Sequence, residues 1–192
     1  RMIATAMRKG TYQGELQIYC HQGLTDTIST ICRLTMQGKF FKMIGSRIFL
    51  VPVEDGETVH ILDYDVTFFD ILSTKARQFG FTTVLKNGCR FTCAGDEPYN
   101  PDCRAYVEGS NWLLHEAFCL YRDREIFAPY EKHHSTVKEA CELAGELNIP
   151  NLVLWHTEDK QLAQRKTLYI KEGRKYYHGN LLVPEDREII VL

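Results

Sequence analysis

The sequence predicts an α/β fold, in which buried strands carry polar residues to one edge of a sheet. Three short apolar or β-prone runs support this class, and runs of this length indicate buried strands. They lie at residues 91–96, 112–116 and 152–156. Each run ends in a residue able to bind a metal, namely Asp96, Glu116 or His156. Because residues just past the carboxyl ends of strands line the ligand crevice of open α/β sheets, these three side chains are expected to share one rim.

The first part of the chain predicts a helix, a strand and a second helix. Residues 2–7 have helical spacing, but no N-cap precedes them and the first residue is not methionine. We therefore expect the chain to be the later part of a longer protein. Leu16–Cys20 alternates as a half-buried strand. The apolar positions of residues 24–35 then lie on one helical face, with Thr25 or Asp26 as the cap.

Strands and hairpins dominate the middle of the chain. Residues 47–53, 58–62 and 66–69 are strand candidates, and Asp-Gly at 55–56 predicts a turn between the first two. Residues 79–93 predict a further hairpin, because Asn-Gly within it is among the strongest short-range hairpin signals.

The last third predicts one packed helix and a terminal strand. Thr136 and Glu139 have capping-box spacing at the start of an amphipathic helix over residues 137–147. Residues 188–192 are apolar and predict a last strand. The Lys and Arg residues between 160 and 175 are interpreted as a solvated face.

Composition limits the broad class of protein. The chain has 192 residues, of which 44% are hydrophobic and 25% charged, as is ordinary for one globular core. A formal net charge of -2 gives no overall attraction to nucleic acid or to an anionic membrane. The longest apolar run, residues 47–53, is far shorter than the roughly 20 residues of a membrane span. Seven cysteines without a Cys-x-x-Cys pair predict reduced, buried thiols in a cytoplasmic protein.

Four short motifs, taken in order, resemble a known family. They are Gly95-Asp96 after a strand, His115-Glu116-Ala117, His134-Ser135-Thr136 at a helix start, and a strand ending in His156. Together they resemble the second half of the metallo-β-lactamase fold, in its ribonuclease Z branch. The resemblance implies an α/β protein with an αββα four-layer sandwich, N-terminally incomplete as given, and one domain over residues 1–192.

The resemblance also implies a role for each site residue. Asp96 would be the carboxylate that bridges two metal ions, and His156 a terminal metal ligand. His134 would protonate the leaving oxygen of a phosphodiester, with Glu116 orienting it, while the helix start offers backbone N–H groups to a phosphate. Each residue also has a structural interpretation: a turn aspartate, a packed histidine, or a histidine that only precedes an N-cap. His133 competes for the acid role.

Two features of the family are absent from these residues. The His-x-His-x-Asp-His signature, which supplies most metal ligands, does not occur. Ribonuclease Z also has a metal-binding histidine shortly before a Phe-Gly-aromatic strand, whereas Leu72, Ser73 and Thr74 precede Phe79 here, with Asp70 or a neighbour as the open substitute. Zinc is the expected cofactor, as two ions if an upstream segment supplies ligands, with manganese as an alternative.

The sequence thus predicts a metal-dependent hydrolase, a ribonuclease Z-like phosphodiesterase that uses a metal-bound hydroxide. The expected substrate is a small phosphodiester or a nucleic-acid-like molecule, with ester, thioester or lactone hydrolysis left open. Transfer RNA is disfavoured, because residues 79–96 leave no room for the family's protruding arm and the net charge is -2. A non-catalytic binding or structural member is the alternative class. A homodimer stays open.

Overall fold

A computed structural model describes residues 1–192, which divide into two compact units, Arg1–Glu54 and Asp55–Leu192. None of the helices combines the length and the apolar character needed to cross a bilayer. That all 192 residues form a single domain stays a prediction.

The first unit contains a small parallel sheet with three helices. Its strands β1 and β2 pair in parallel, with Leu16 opposite Ile48. Its core is a cluster of four buried residues: Ala4, Met7, Phe40 and Ile48. The elements are α1 (Met2–Lys9), β1 (Leu16–Cys20), α2 (Gln22–Thr35), α3 (Gly38–Phe41) and β2 (Ile48–Pro52).

The predicted cap of α2 is wrong. The helix begins one residue after His21, whose Nδ1 accepts a hydrogen bond from the backbone N–H of Leu24 at 3.3 Å. Thr25 lies inside the first turn, where its hydroxyl donates to the Gln22 carbonyl at 2.6 Å. An imidazole nitrogen therefore fills the acceptor role that Ser, Thr, Asp or Asn usually fill.

The second unit is built on a seven-stranded mixed sheet in sequence order. Its first four strands are antiparallel and the last four, sharing the fourth, are parallel. The strands are β3 (Thr58–Ile61), β4 (Tyr64–Asp70), β5 (Phe79–Val84), β6 (Arg90–Cys93), β7 (Trp112–Glu116), β8 (Asn151–Trp155) and β9 (Asn180–Leu182). The helices are α4 (Arg104–Val107), α5 (Arg124–Phe127), α6 (Val137–Glu146) and α7 (Arg165–Gly173). Short 3₁₀ turns occupy Pro101–Cys103, Tyr121–Asp123, Tyr130–Lys132 and Leu162–Gln164.

The β5–β6 hairpin confirms the Asn-Gly prediction, but two other strand predictions are wrong. The predicted turn at 55–56 is present, but the two strands that it joins form no hairpin, because β2 pairs with β1 and β3 pairs with β4. Residues 188–192 form no strand, and Ile189 and Val191 are each 88% exposed. The strand β9 instead pairs in parallel with β8 at the edge of the sheet.

The basic stretch near residue 165 is also more than a solvated face. It contains α7, in which Arg165, Tyr169 and Glu172 are buried. The Tyr169 hydroxyl donates to the Phe118 carbonyl at 3.0 Å, and Glu172 accepts from the backbone of Tyr121 at 2.7 Å. Long polar side chains in this helix make hydrogen bonds inside the protein. The charge pattern alone therefore led to the wrong prediction of a solvated face.

Helix α6 confirms the capping-box prediction and positions the segment before it. The backbone N–H of Thr136 donates to Glu139 Oε2 at 2.8 Å. The inner face of the helix is fully buried through Val137, Ala140 and Ala144. Since burial on this scale stabilises by several kcal/mol, at ~1.5–3 kcal/mol per large apolar side chain, the start of α6 is firmly anchored.

Candidate active site

Three parallel strands bring the predicted residues to one edge of the sheet. Strands β6, β7 and β8 are neighbours and run in the same direction. Asp96 lies three residues beyond the end of β6, Glu116 is the last residue of β7, and His156 is the first residue after β8. His134 joins them from the segment that leads into α6.

The turn before Asp96 requires glycine. Gly95 has φ +84°, in the left-handed region, and a Cβ there would lie 2.8 Å from Ile71 Cδ1. A side chain would therefore be strained by its backbone conformation and would also clash. Asp96 is half-buried. Its backbone hydrogen-bonds the ring of His134, and its charge acts on Glu116.

Glu116 and His134 form a buried hydrogen-bonded pair. Glu116 is fully buried, and its Oε2 lies 2.7 Å from Nδ1 of His134. The other carboxylate oxygen, Oε1, accepts from the Ser135 backbone at 2.5 Å and from the Ser135 hydroxyl at 3.0 Å. Because both oxygens are used, the position of the imidazole is fixed by the protein itself.

Burial controls the protonation of this pair. It raises the pKa of Glu116 to about 8, against the opposing effect of the Ser135 donors. Burial also lowers the pKa of His134, and the charge of Lys75 acts in the same direction. Both shifts disfavour charge, and groups that share a hydrogen bond titrate together. We therefore treat the two residues as one proton-carrying unit.

The ring of His134 lies between two other rings. Phe118 stacks on it with centroids 4.9 Å apart and an interplanar angle of 23°. His156 contacts it with centroids 5.0 Å apart. His156 is exposed and has φ 51°, a conformation that is uncommon for residues other than glycine. Such backbone strain is concentrated at functional sites.

These side chains are chemically suitable for a metal ion, although they supply few ligands. One ligand atom from each of Glu116, His134 and His156 lies within 4.8 Å of the others. Both Glu116 oxygens already make hydrogen bonds, so an ion there would have to displace them. Asp96 is not in this group, so the metal-ligand roles of Asp96 and His156 stay predictions. Zinc takes four ligands, or three and a water.

The structure gives no support to His133 as the acid or to Asp70 as a substitute metal ligand. His133 is exposed, and its Nδ1 lies 3.0 Å from the hydroxyl of Thr74, so it has no hydrogen bond to Glu116. Asp70 cannot easily act as a ligand, because its carboxylate accepts from the Leu72 backbone and from Arg77 Nε, each at 2.9 Å.

The predicted phosphate site at the start of α6 is not supported by the hydrogen bonds. Glu116 accepts from the backbone of Ser135, Glu139 accepts from Thr136, and the Cys119 carbonyl accepts from Val137 at 3.0 Å. The first N–H groups of this segment are therefore already used.

Sequence reasoning considered residues 70–74 near a missing ligand, but it missed Glu97 and Lys75 beside the site. Glu97 is buried and accepts from the Ser73 hydroxyl at 2.7 Å. Lys75 lies 3.4 Å from Glu97 and donates to the Lys132 carbonyl at 3.1 Å. This places a positive charge near Glu116. The available signal was a lysine in the loop where the family has a ligand.

Comparison with known proteins agrees with the family resemblance of the sequence motifs. A family model described as "Beta-lactamase superfamily domain" matches residues 4–157. The chain belongs to the metallo-β-lactamase superfamily. Proteins named ribonuclease Z are among its relatives by sequence. Ribonuclease Z of Thermococcus sibiricus is 27% identical over 107 residues, which are 56% of this chain and 33% of that protein. Ribonuclease Z of Oceanobacillus iheyensis is 34% identical over 97 residues, or 50% and 31%.

The chain therefore spans about a third of the length of these relatives. Solved structures of the superfamily share its fold. The metallo-beta-lactamase fold protein YhfI from Bacillus subtilis has a TM-score of 0.71 and 16% identity, with 96% of this chain and 68% of that chain covered. Human tRNase Z, short form, has a TM-score of 0.64 and 20% identity, with 94% and 69% covered. The predicted metallo-β-lactamase fold is thus confirmed.

Proposed function

We propose that this protein is a metal-dependent phosphodiesterase in which His134 acts as the general acid. The observation that carries the proposal is the buried hydrogen bond of 2.7 Å between His134 and Glu116, next to His156. Hydrolysis of a phosphodiester leaves negative charge on the leaving oxygen, and a general acid within hydrogen-bond reach speeds the reaction by protonating it.

The residues of the chain divide the work. Glu116 holds Nδ1 of His134, so Nε2 would give the proton to the leaving group, in place of the hydrogen bond that the ring makes with the Asp96 backbone. Ser135 holds the Glu116 carboxylate, so the acid is fixed before substrate arrives. Phe118 covers one face of the imidazole and limits access of water from that side. This preorganisation favours proton transfer without rearrangement.

Asp96 and His156 would hold the metal ion, for which zinc is our first choice and manganese the second. A carboxylate and an imidazole are the ligand types that both ions accept. When bound, a divalent ion lowers the pKa of water and neutralises charge on a phosphoryl group. Two ligands are half of a zinc set, so the number of ions stays part of the proposal.

The relatives support a phosphodiester as the substrate class, because those matched in sequence are named ribonuclease Z. A nucleotide-based phosphodiester is therefore the first choice, with ester, thioester and lactone substrates as alternatives. Location in the cytoplasm and assembly into a homodimer remain predictions from the sequence.

The test combines metal content with hydrolysis of bis-p-nitrophenyl phosphate. We expect zinc or manganese to bind and to support turnover, and His134→Ala to lower kcat by about 10²–10⁴-fold. His133→Ala is the matched control, since that neighbouring histidine is exposed and hydrogen-bonded to Thr74 rather than to Glu116. Full turnover by His134→Ala would exclude the acid role. Binding of no metal would favour the non-catalytic alternative.

A further inference from the structure

The loop between β4 and β5 brings a cation to the region where a metal ligand was expected. Leu72 has no lone pair to offer a metal ion, and the carboxylate of Asp70 already accepts from the Leu72 backbone and from Arg77. Lys75 follows three residues after Leu72, and its side chain is 37% exposed. The loop therefore offers a positive charge rather than a metal ligand.

The ammonium group of Lys75 is held from two sides. Its Nζ lies 3.4 Å from Glu97 Oε1 and donates to the Lys132 carbonyl at 3.1 Å. Glu97 directly follows Asp96, and Lys132 lies two residues before His134. Lys75 thus links the segment that carries Asp96 to the segment that carries His134.

Other hydrogen bonds fix the loop independently of the lysine side chain. The Ser73 hydroxyl donates to Glu97 Oε1 at 2.7 Å and accepts from the Lys75 backbone at 3.2 Å. The Thr74 backbone donates to Glu97 Oε2 at 3.3 Å, and the Thr74 hydroxyl lies 3.0 Å from Nδ1 of His133. Because none of these bonds uses the Lys75 side chain, a substitution there tests its charge rather than the fold of the loop.

The charge of Lys75 reaches the acid–base pair. Burial has the largest effect on the pKa of both Glu116 and His134, and the charge of Lys75 opposes it at Glu116 and adds to it at His134. A lysine ammonium group has three N–H donors, and Glu97 and the Lys132 carbonyl take at most two of them. One donor on a partly exposed side chain is left for an anion.

We propose that Lys75 binds a non-bridging oxygen of the substrate phosphate and thereby selects an anionic diester over a neutral ester. A lysine ammonium group is a compact point charge, and its hydrogen bonds to charged oxygens are about twice as strong as those between neutral groups. The inference rests on the proposed function, because it decides between the phosphodiester and the ester, thioester and lactone alternatives. Lys75 is a substrate-binding residue here, and the proton still comes from His134.

Two ligands of similar shape and different charge provide the test. They are the dimethyl phosphate anion and neutral trimethyl phosphate, whose affinities are measured by NMR titration of the full chain with and without zinc. Lys75→Met should weaken dimethyl phosphate by about tenfold or more and leave trimethyl phosphate within about twofold, because only the anion gains a charge-assisted hydrogen bond. Unchanged affinity for dimethyl phosphate, or equal weakening of both ligands, would overturn the proposal.

Lys86→Met is the matched control for the loss of a paired lysine. Lys86 also pairs with a carboxylate, that of Asp63 at 2.5 Å. It lies in the turn before β6, whereas the site follows the end of that strand. This variant should leave the affinity for both ligands unchanged.

Glu97→Gln separates phosphate binding from a purely structural role of the ion pair. It removes the negative charge beside Lys75 and keeps an oxygen that can accept from Ser73, so dimethyl phosphate should bind at least as tightly as in the native protein. Equal weakening in Lys75→Met and Glu97→Gln would mean that the pair only shapes the loop. Should Lys75→Met not fold, because Glu97 is buried and would lose its partner, the double variant removes both charges and should show the same tenfold loss.

Failure of this proposal can be distinguished from failure of the proposed function. Lys75→Met should raise KM for bis-p-nitrophenyl phosphate about tenfold, in line with the loss of dimethyl phosphate affinity. If the native protein cleaves this diester and Lys75→Met has the same KM, only the inference about Lys75 is wrong. If dimethyl phosphate binds through Lys75 and no diester is cleaved, the binding assignment stands and the hydrolase is wrong.

Discussion

The two halves of the site are held in different ways. Glu116 is fully buried and hydrogen-bonded to both His134 and Ser135, so the acid–base half is fixed by hydrogen bonds. In the other half, His156 is exposed and contacts the rings of His134 and Trp155, and Asp96 is half-buried. The protein's own hydrogen bonds thus hold the His134–Glu116 pair, which transfers the proton in the proposed function. The metal-ligand half depends on backbone turns for its position.

The largest effect should come from breaking the buried half. Glu116→Gln keeps the shape of the side chain but cannot accept hydrogen bonds at both ends. We expect kcat for bis-p-nitrophenyl phosphate to fall by about 10²–10⁴-fold, because His134 loses its fixed orientation. Glu131→Gln is the control, since Glu131 is exposed. A Glu116→Gln enzyme with more than a tenth of native kcat would show that the pair is not needed.

The second prediction acts on the exposed half. Asp96→Asn and His156→Ala should each weaken zinc binding by at least about 100-fold, as expected for loss of a direct ligand. Neither should change the thermal unfolding temperature of the metal-free protein much, because His156 is exposed and Asp96 is half-buried. Calorimetric titration measures the first quantity. His178→Ala removes another exposed histidine and should leave zinc affinity unchanged.

The turn that places Asp96 gives a third, smaller effect. Gly95→Ala should lower the free energy of unfolding by about 1–3 kcal/mol. The backbone at this position has φ +84°, and the new Cβ would lie 2.8 Å from Ile71 Cδ1. Gly109→Ala isolates the backbone contribution, since Gly109 has φ +76° with no atom within 4 Å, and should cost about 1 kcal/mol.

The double variant Gly95→Ala with Ile71→Val separates the clash from the backbone strain. Removing Cδ1 should recover part of the stability relative to Ile71→Val alone, as a thermodynamic cycle would measure. Additive effects in that cycle would mean that the turn shifts away from Ile71 and that steric contact is not what fixes Asp96.

Sequence reasoning was most successful where one local signal and one tertiary role coincide. Asn-Gly fixed the β5–β6 hairpin, and the capping box at Thr136 fixed the start of α6. The motif residues also lie together, because parallel neighbouring strands must end at the same edge. Their chemical roles remain predictions.

The errors arose where tertiary contacts override the local pattern. Strand β9 has three residues, too few for a periodic signal, and its pairing with β8 defines it. Helix α7 carries charged residues that are buried through specific partners such as the Tyr121 backbone.

The smallest predicted effect uses a buried thiol to report on rigidity. Cys119 is fully buried, burial raises its pKa to about 12, and its carbonyl accepts from Val137 at the start of α6. Its alkylation at pH 8 should therefore require local opening. Asp96→Asn and His156→Ala should leave the rate within about twofold, whereas Glu116→Ala, which removes the link from β7 to Ser135, should raise it about tenfold for a loss near 1.4 kcal/mol. Equal rates in all three variants would mean that the buried pair does not stiffen this region, and mass spectrometry of the labelled peptide would decide it.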